Sequence, residues 1–411
     1  MLDALSSFLL IASSSNSVVQ PPQAPQPAQA SGQQNILVVG DRIADYRRRL
    51  AECLARHCPP NEDIDASTAL AEALFVANEY RDARTVLLAS IGRNRREAAH
   101  YPEPVSDLYR ANALVSRHLG FDRDAQLSTW EILHSLQAGI PVEDARHFTA
   151  RLEVVESLVA FGEYYEAREQ LRELARRARA AGRDDVVATT ELRMLWLQYL
   201  QAPNDTTIVR QLVTLSSSTD GRRAVPAKMM LIRIYNEHGQ TQLANALIAQ
   251  LGVNGTRRQL LFAPRFEMVQ HDSSGVDVTP LGVVDVSSKA SGGGIPTVDN
   301  LGDRLTDVYD QLIDVGFRIR PDGTVADVQV VNHRGATGWE PPLIQSIAGR
   351  RYAASRDGSE TYRVERYSFT AERRTQGLTA TRISNRSPRG RVEFRELSET
   401  IVPAAPPTGS L

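Results

Sequence analysis

Between about Asp63 and Gln250 the chain repeats itself, and that recurrence limits the fold more than any other feature of its 411 residues. Asn78, Gly120, Gly162 and Gly239 are each followed five residues later by an alanine: Ala83, Ala125, Ala167 and Ala244. Ala83 to Ala125 and Ala125 to Ala167 are 42 residues each, and Ala167 to Ala244 is 77, nearly twice the unit, as though a weakened copy lay between. Before each turn stand small or apolar residues at helical spacing, such as Ala69, Ala73 and Leu74, or Ala111 and Leu114. After it come an aromatic in three of the four copies (Tyr80, Phe121, Tyr164) and leucines beyond the alanine. The turn between one helix and the next needs a small residue. An alanine one turn into the next lets two helices approach closely, so the pattern predicts stacked helix pairs.

These helix–turn–helix copies resemble tetratricopeptide-like repeats, though their period exceeds the usual ~34 residues. Longer helices or loops such as Tyr101-Pro102-Glu103-Pro104 would account for the difference. Arg168–Arg183 is rich in both Arg and Glu. With Glu166, Glu169 and Glu173 one turn from basic residues, it reads as a solvated, salt-laced helix face rather than a phosphate-contacting stripe.

A second pattern occupies Leu312–Tyr367. Ile313, Val315, Phe317 and Ile319 alternate with polar or small residues, the period of a strand with one buried face. Pro321-Asp322-Gly323-Thr324 supplies a preset φ, a local cap and a residue that accepts positive φ, which makes a tight reversal. Val325–Val331 is then the returning strand. After a loop through Gly335 and Gly338, Glu340–Arg350 carries Leu343, Ile344, Ile347 and Ala348 at helical spacing behind Pro341 and Pro342. Tyr362–Thr370, with Val364 and Phe369, reads as a third strand. Hairpin, helix and strand make a small α+β unit.

In order and in residues this unit resembles the C-terminal domain of TonB-type energy transducers. The resemblance rests on Val315-Gly316-Phe317, Pro321-Asp322-Gly323, Val325 with Val328 and Val330, Leu343 to Tyr352, and Phe369. It departs where Ala353-Ala354 replaces a proline usual after the helix aromatic, and where no Tyr-Pro pair precedes the first strand. The resemblance implies a sheet edge that captures an extended apolar segment of a protein partner by strand addition, an outer-membrane TonB-dependent transporter being the family's kind of partner. The edge expected to do so is the closing strand, Tyr362, Arg363, Val364, Glu365, Arg366 and Tyr367, with charged Arg363, Glu365 and Arg366 between apolar positions. Ile36–Asp41 is similar to the short apolar box such transporters present; a strand or a hydrophobic lead-in to the next helix is the alternative.

Cys53 and Cys58 are the only cysteines. Metal binding would need more ligands than His57 adds, and the spacing differs from a redox Cys-x-x-Cys. A short-loop disulfide is expected, with two buried thiols as the alternative. On a regular helix the side chains would diverge, but Pro59-Pro60 should end the helix and let them meet. Ala4–Ala12 followed by three serines looks like the core of an export signal without its basic start, and Gln20–Gln34 is Pro- and Gln-rich. Export would place the protein in the periplasm or cell envelope, which suits a disulfide. No stretch approaches the ~18 apolar residues of a spanning helix, and a net charge of -2 gives no general pull toward nucleic acid or acidic membranes.

The expected organisation is therefore α+β overall. A signal-like segment and linker (1–34) lead to a helical-repeat domain (35–255). A connector (256–300), a TonB-C-like sheet with its helix (301–400) and a tail (401–411) follow. No His-Glu-x-x-His pair, Gly-x-Ser-x-Gly elbow or dinucleotide fingerprint occurs. Neither a cofactor nor a small-molecule substrate is expected. The function expected is that of a non-enzymatic interaction protein, with a structural envelope-assembly protein as the alternative.

Overall fold

The computed structural model describes residues 34–253, 258–264, 278–279, 283–284, 311–335, 339–375 and 384–398. The signal-like segment, the Ser291–Gly294 loop and the tail from Pro403 lie outside them. The chain is mostly helical, with a small antiparallel sheet toward its C-terminal end. It divides into two compact units, Met1–Leu119 with Arg123–Phe161, and Gly120–Asp122 with Gly162–Leu411.

In the first unit, α1 (Gln34–Ala55), α2 (Pro60–Val76), α3 (Tyr80–Asn94), α4 (Pro102–His118), α5 (Asp122–Gly139) and α6 (Ala145–Ala160) follow one another through short turns. The stretch Ile36–Asp41, expected to be strand-like, belongs to α1. Helix α2 packs on α1, α3 and α4. The α2–α3 turn ends α2 with Asn78 at φ 68. Asn78 N–H donates to Phe75 O (3.0 Å) and Glu79 N–H to Leu74 O (2.8 Å), the paired bonds of a Schellman ending. Ala83, five residues on, is fully buried. The α2–α3 contact also holds a buried polar hub: Asp63 accepts two hydrogen bonds from Arg93 (2.7 and 2.6 Å), one from Asn94 (2.7 Å) and one from Ser67 (3.0 Å). Burial opposes the charge on Asp63, but these donors outweigh it and hold the carboxyl below its usual range.

The second unit contains α7 (Tyr164–Ala180), α8 (Asp184–Gln201), α9 (Thr206–Ser216), α10 (Gly221–Glu237) and α11 (Thr241–Ile248). Gly162 and Gly239 have φ of 75 and 73, as the recurrence requires, and Gly182 adds another such turn at φ 66. Ala167 and Ala244 are fully buried. Between them the α8–α9 turn, Ala202–Asp205, has no left-handed residue. Asp205 caps α9 through Thr207 N–H (2.8 Å), and Ile208 and Leu212 are buried where the pattern would place an alanine. Along α7, Glu173 pairs with Arg176 and Arg177, and the hydrogen bonds from these two arginines pull its carboxyl down to about 2. The solvated, salt-laced face is what the structure holds there.

The strands are β1 (Gly252–Val253), β2 (Leu260–Phe262), β3 (Val278–Thr279), β4 (Val283–Val284), β5 (Leu312–Ile319), β6 (Val325–Arg334), β7 (Arg351–Tyr352), β8 (Ala354–Ser355), β9 (Thr361–Thr375) and β10 (Ser384–Glu396). Helix α12 (Glu340–Ala348) lies between β6 and β7 in sequence. The main sheet runs β10-β9-β5-β6, antiparallel throughout. Its hairpin closes as the sequence demands. Arg320 N–H donates to Thr324 O (2.8 Å), and Asp322 Oδ1 accepts from Thr324 N–H (2.9 Å). Gly323 sits at φ 84, where a Cβ would also collide with Tyr352 O. On one face Ile313, Val315, Phe317 and Ile319 are fully buried against Leu343 and Ile347 of α12, with Tyr352, Phe369 and Val392. Each such burial is worth about 1.5–3 kcal/mol.

The expected boundary at residue 255 does not separate the helices from the sheet: helices α7–α11 and the sheet share one compact unit. The reason is that part of the expected connector is built into it. Strand β1 pairs with β8, and β2 pairs with β7 and lies against α10. Arg258, 2% exposed, donates to Ala353 O at 3.0 Å and to Ser359 O, while its own carbonyl accepts from Arg363 (2.7 Å). Ser346 of α12 donates to Pro264 O at 2.7 Å.

Candidate functional site

Tyr362–Tyr367 is not a free edge. In β9 it is paired with β5 on one side, from Ile319↔Thr361 to Leu312↔Ser368, and with β10 on the other, from Glu365↔Glu396 onward. Val364 is engaged beyond the end of β10 as well: its N–H donates to Ser398 Oγ (3.0 Å) and its carbonyl accepts from Leu397 N–H (2.8 Å).

Nor do its charges face water. Val364, Glu365, Arg366 and Tyr367 are buried, and Tyr362 and Arg363 are half-buried. Alternation along β9 divides them between two faces. On the helix-covered face, Glu365 accepts from Arg350 Nη1 (2.6 Å) and from the Tyr367 hydroxyl, which itself accepts from Arg350 Nη2 (2.6 Å). Arg363 lies over the Tyr352 ring at 5.2 Å. On the opposite face Arg366 grips Asp314 of β5 with two parallel bonds, Nε to Oδ1 and Nη2 to Oδ2, both 2.7 Å. Asn332 of β6 adds a bond of 3.0 Å to the same carboxylate. The charges are therefore internal ties between strands and to α12.

The environment tunes these groups as burial next to a carboxylate should. Burial disfavours the tyrosinate, and the Glu365 charge adds to it, so Tyr352 is pushed up to about 12. Tyr367 is held well above the ordinary tyrosine range by burial, with Arg350 opposing and Glu365 reinforcing. Burial works against the Arg350 cation, but Glu365 outweighs it and raises Arg350 well above its ordinary value.

The open side of the main sheet is β6. Among the described residues it pairs only with β5, whereas β4 lies alongside β10 at the other end. Val325 is buried, Ala326, Val328 and Val330 are half-buried, and Asp327, Gln329 and Val331–Arg334 are exposed. Two register shifts interrupt its ladder, opposite Gly316/Arg318 and Asp314/Val315. The first includes Asp327 at φ 53 and the second leaves Val331 without a direct partner on β5. Such bulges twist an edge and limit how it can pair. The sequence carried a weak sign of them: Val-Val at 330–331 breaks the strict alternation.

The structure does bring Cys53 and Cys58 together, with Cα atoms 5.1 Å apart and the sulfurs bonded. The device is the helix ending rather than the prolines. His57 takes φ 54, its N–H donates to Leu54 O (3.2 Å), and Cys58 N–H donates to Cys53 O (3.1 Å). A Schellman ending sets its third-last helical residue against the second residue past the cap, where an apolar contact usually forms. Here a pair of sulfurs takes that place. Leu54, next to Cys53 on α1, is 38% exposed.

No protein-family model and no curated protein matches the chain. Among solved structures it is similar to BtubC (BKLC) from P. vanneervenii, with 16% identity and a TM-score of 0.38 over 52% of this chain and 89% of that one. It is also similar to the apo form of RapI, with 12% identity and a TM-score of 0.33 over 52% of this chain and 76% of that one. Likenesses this distant carry no argument about fold or function.

Proposed function

We propose that this chain is a non-enzymatic protein-interaction protein of the cell envelope. In this reading tetratricopeptide-like helix pairs form its scaffold, and a TonB-C-like sheet offers the outer side of β6 to an extended segment of a partner protein. The observation that carries the reading is the exposed, singly paired β6 within a hairpin–helix–strand order. Strand addition there would supply main-chain hydrogen bonds, and the alternate side chains of Val328 to Val331 would set selectivity. The helical repeats would give a second surface. The left-handed turn residues and buried alanines support the repeat assignment.

The bulges at Asp327 and Val331 favour a second reading, that of a structural envelope protein whose edge is guarded against pairing. A titration of the full chain with a synthetic Ile-Leu-Val-Val-Gly peptide, its own residues 36–40, separates the two. Successive amides of a strand alternate between its two sides, so Gln329→Pro and Val330→Pro remove an outer donor in one case and a ladder bond in the other. Strand addition predicts amide shifts confined to β6 and its neighbours, abolished by the variant that keeps the ladder. A peptide that shifts no β6 amide overturns the interaction reading.

A further inference from the structure

Glu62 completes a group that the cysteine spacing alone left short. Pro59 is extended (φ −62, ψ 157) and Pro60 is the first residue of α2, so the chain turns back immediately after Cys58. The first turn of α2 thereby passes the end of α1. Cys53 Sγ, Cys58 Sγ and a Glu62 carboxylate oxygen all lie within 4.8 Å of one another. Cys53 is buried, while Cys58 and Glu62 are half-exposed, which leaves an open side toward solvent. Arg56 pairs with the Glu62 carboxylate at the exposed rim of the group.

We infer that reduction of the Cys53–Cys58 bond uncovers a site for a thiophilic divalent cation of the zinc class, with Cys53, Cys58 and Glu62 as its three protein ligands. An external dithiol supplies the reduction. Its two thiols become a disulfide as Cys53 and Cys58 become thiols, so two electrons and two protons pass to the protein. A cation then takes both sulfurs as thiolates, and two protons leave to solvent. Two thiolates and a carboxylate packed this closely repel one another, and a divalent cation is the species that reconciles them. Two sulfurs, one carboxylate oxygen and a solvent position make a four-coordinate set suited to zinc. Arg56 keeps its hold on Glu62 and orients the ligand from outside the coordination sphere. In the oxidised chain the sulfurs are bonded to each other and the site is closed. Metal affinity therefore reports the redox state of this pair.

The test uses the full chain, reduced with a phosphine, desalted and metal-free, and titrated with Co²⁺. One equivalent should bind, with thiolate-to-cobalt charge-transfer absorption that Zn²⁺ abolishes. The oxidised chain should show none. Glu62→Gln should weaken Co²⁺ binding about tenfold or more while leaving the helical circular dichroism unchanged, and Cys58→Ser should remove the charge-transfer band. A reduced parent without that band, an oxidised chain that binds as tightly, or an unaltered affinity in Glu62→Gln overturns the site. None of these outcomes depends on β6.

Discussion

Arg366 and Asp314 tie the two central strands of the sheet across 52 residues of sequence, and breaking that tie tests the placement of β9 directly. The side chains are 1% and 4% exposed, so water screens the pair very little. Arg366→Met keeps most of the volume but removes both bonds of 2.7 Å, leaving the Asp314 carboxylate with the Asn332 amide. A buried charge stripped of its partner costs about 3–5 kcal/mol. For a unit of this size each kcal/mol moves Tm by about 2–4 °C, so the midpoint should fall by about 6–20 °C. Asp314→Leu should cost a similar amount, because it takes both carboxylate bonds from a guanidinium that is 1% exposed. The double variant should recover most of the loss, since an apolar pair of similar size is often neutral or better. Urea unfolding followed through Trp339, whose indole N–H donates to Gln311 (2.7 Å), reports the sheet when Trp130 and Trp196 are replaced by Phe throughout. If Arg366→Met costs less than about 1 kcal/mol, the range of an exposed ion pair, β9 is an edge after all. Single losses that simply add in the double variant would refute the coupling.

Two further outcomes follow from the packing and the titrating groups. Ala125→Leu and Ala167→Leu should each cost roughly 1–3 kcal/mol by overpacking a closed helix contact; thermal melts that match the parent would break the repeat alignment. The raised values of Tyr352 and Tyr367 mean that the folded state holds these protons more tightly than the unfolded one. The contribution of Tyr352 is full below the ordinary tyrosine value of about 10 and is lost as pH rises through about 12, and that of Tyr367 is likewise full below about 10 and lost only well above it. Tyrosinate absorbance should show late-titrating groups that ionise together with loss of the sheet, and early ionisation of all tyrosines would contradict the burial.

What was legible in the sequence is what local chemistry decides. Pro321-Asp322-Gly323 closes its turn through atoms two to four residues apart, and the β5 face is set by a period of two. The helix endings at Asn78, Gly162 and Gly239 need only a residue that tolerates positive φ. What was not legible depends on distant partners. Glu365 and Arg366 look like the charged exterior of an edge strand until Arg350, Asp314 and β10 are brought to them. Nothing in the sequence says that Val392–Phe394 will lie against β9 and close that edge. Arg258 lies in an expected connector, and its carbonyl partners at Ala353 and Ser359 are about a hundred residues away. The disulfide falls between the two cases. Its spacing was visible, but the left-handed His57 that makes it possible was not, because histidine seldom adopts that conformation.

The same buried charges decide how a partner can engage the sheet. One route is displacement, in which an incoming segment replaces β10 beside β9. That exchange would uncover Tyr367 and Glu365, whose neighbours Phe394 and Glu396 belong to β10. It would also free Arg391, which pairs with Glu393 and Asp122. A foreign strand would have to restore each of these contacts or leave buried charge unmet. The other route is addition at β6, which leaves the pairing of β5, β9 and β10 in place, because the outer side of β6 pairs with no strand among the described residues. Its cost is geometric: between the bulges at Asp327–Val328 and Val331 only Gln329 and Val330 keep unbroken register with β5, a short run for a partner to follow. If the sheet recognises a partner as proposed, it does so through short extended segments that add to β6, and longer ones must bend with the bulges to follow it.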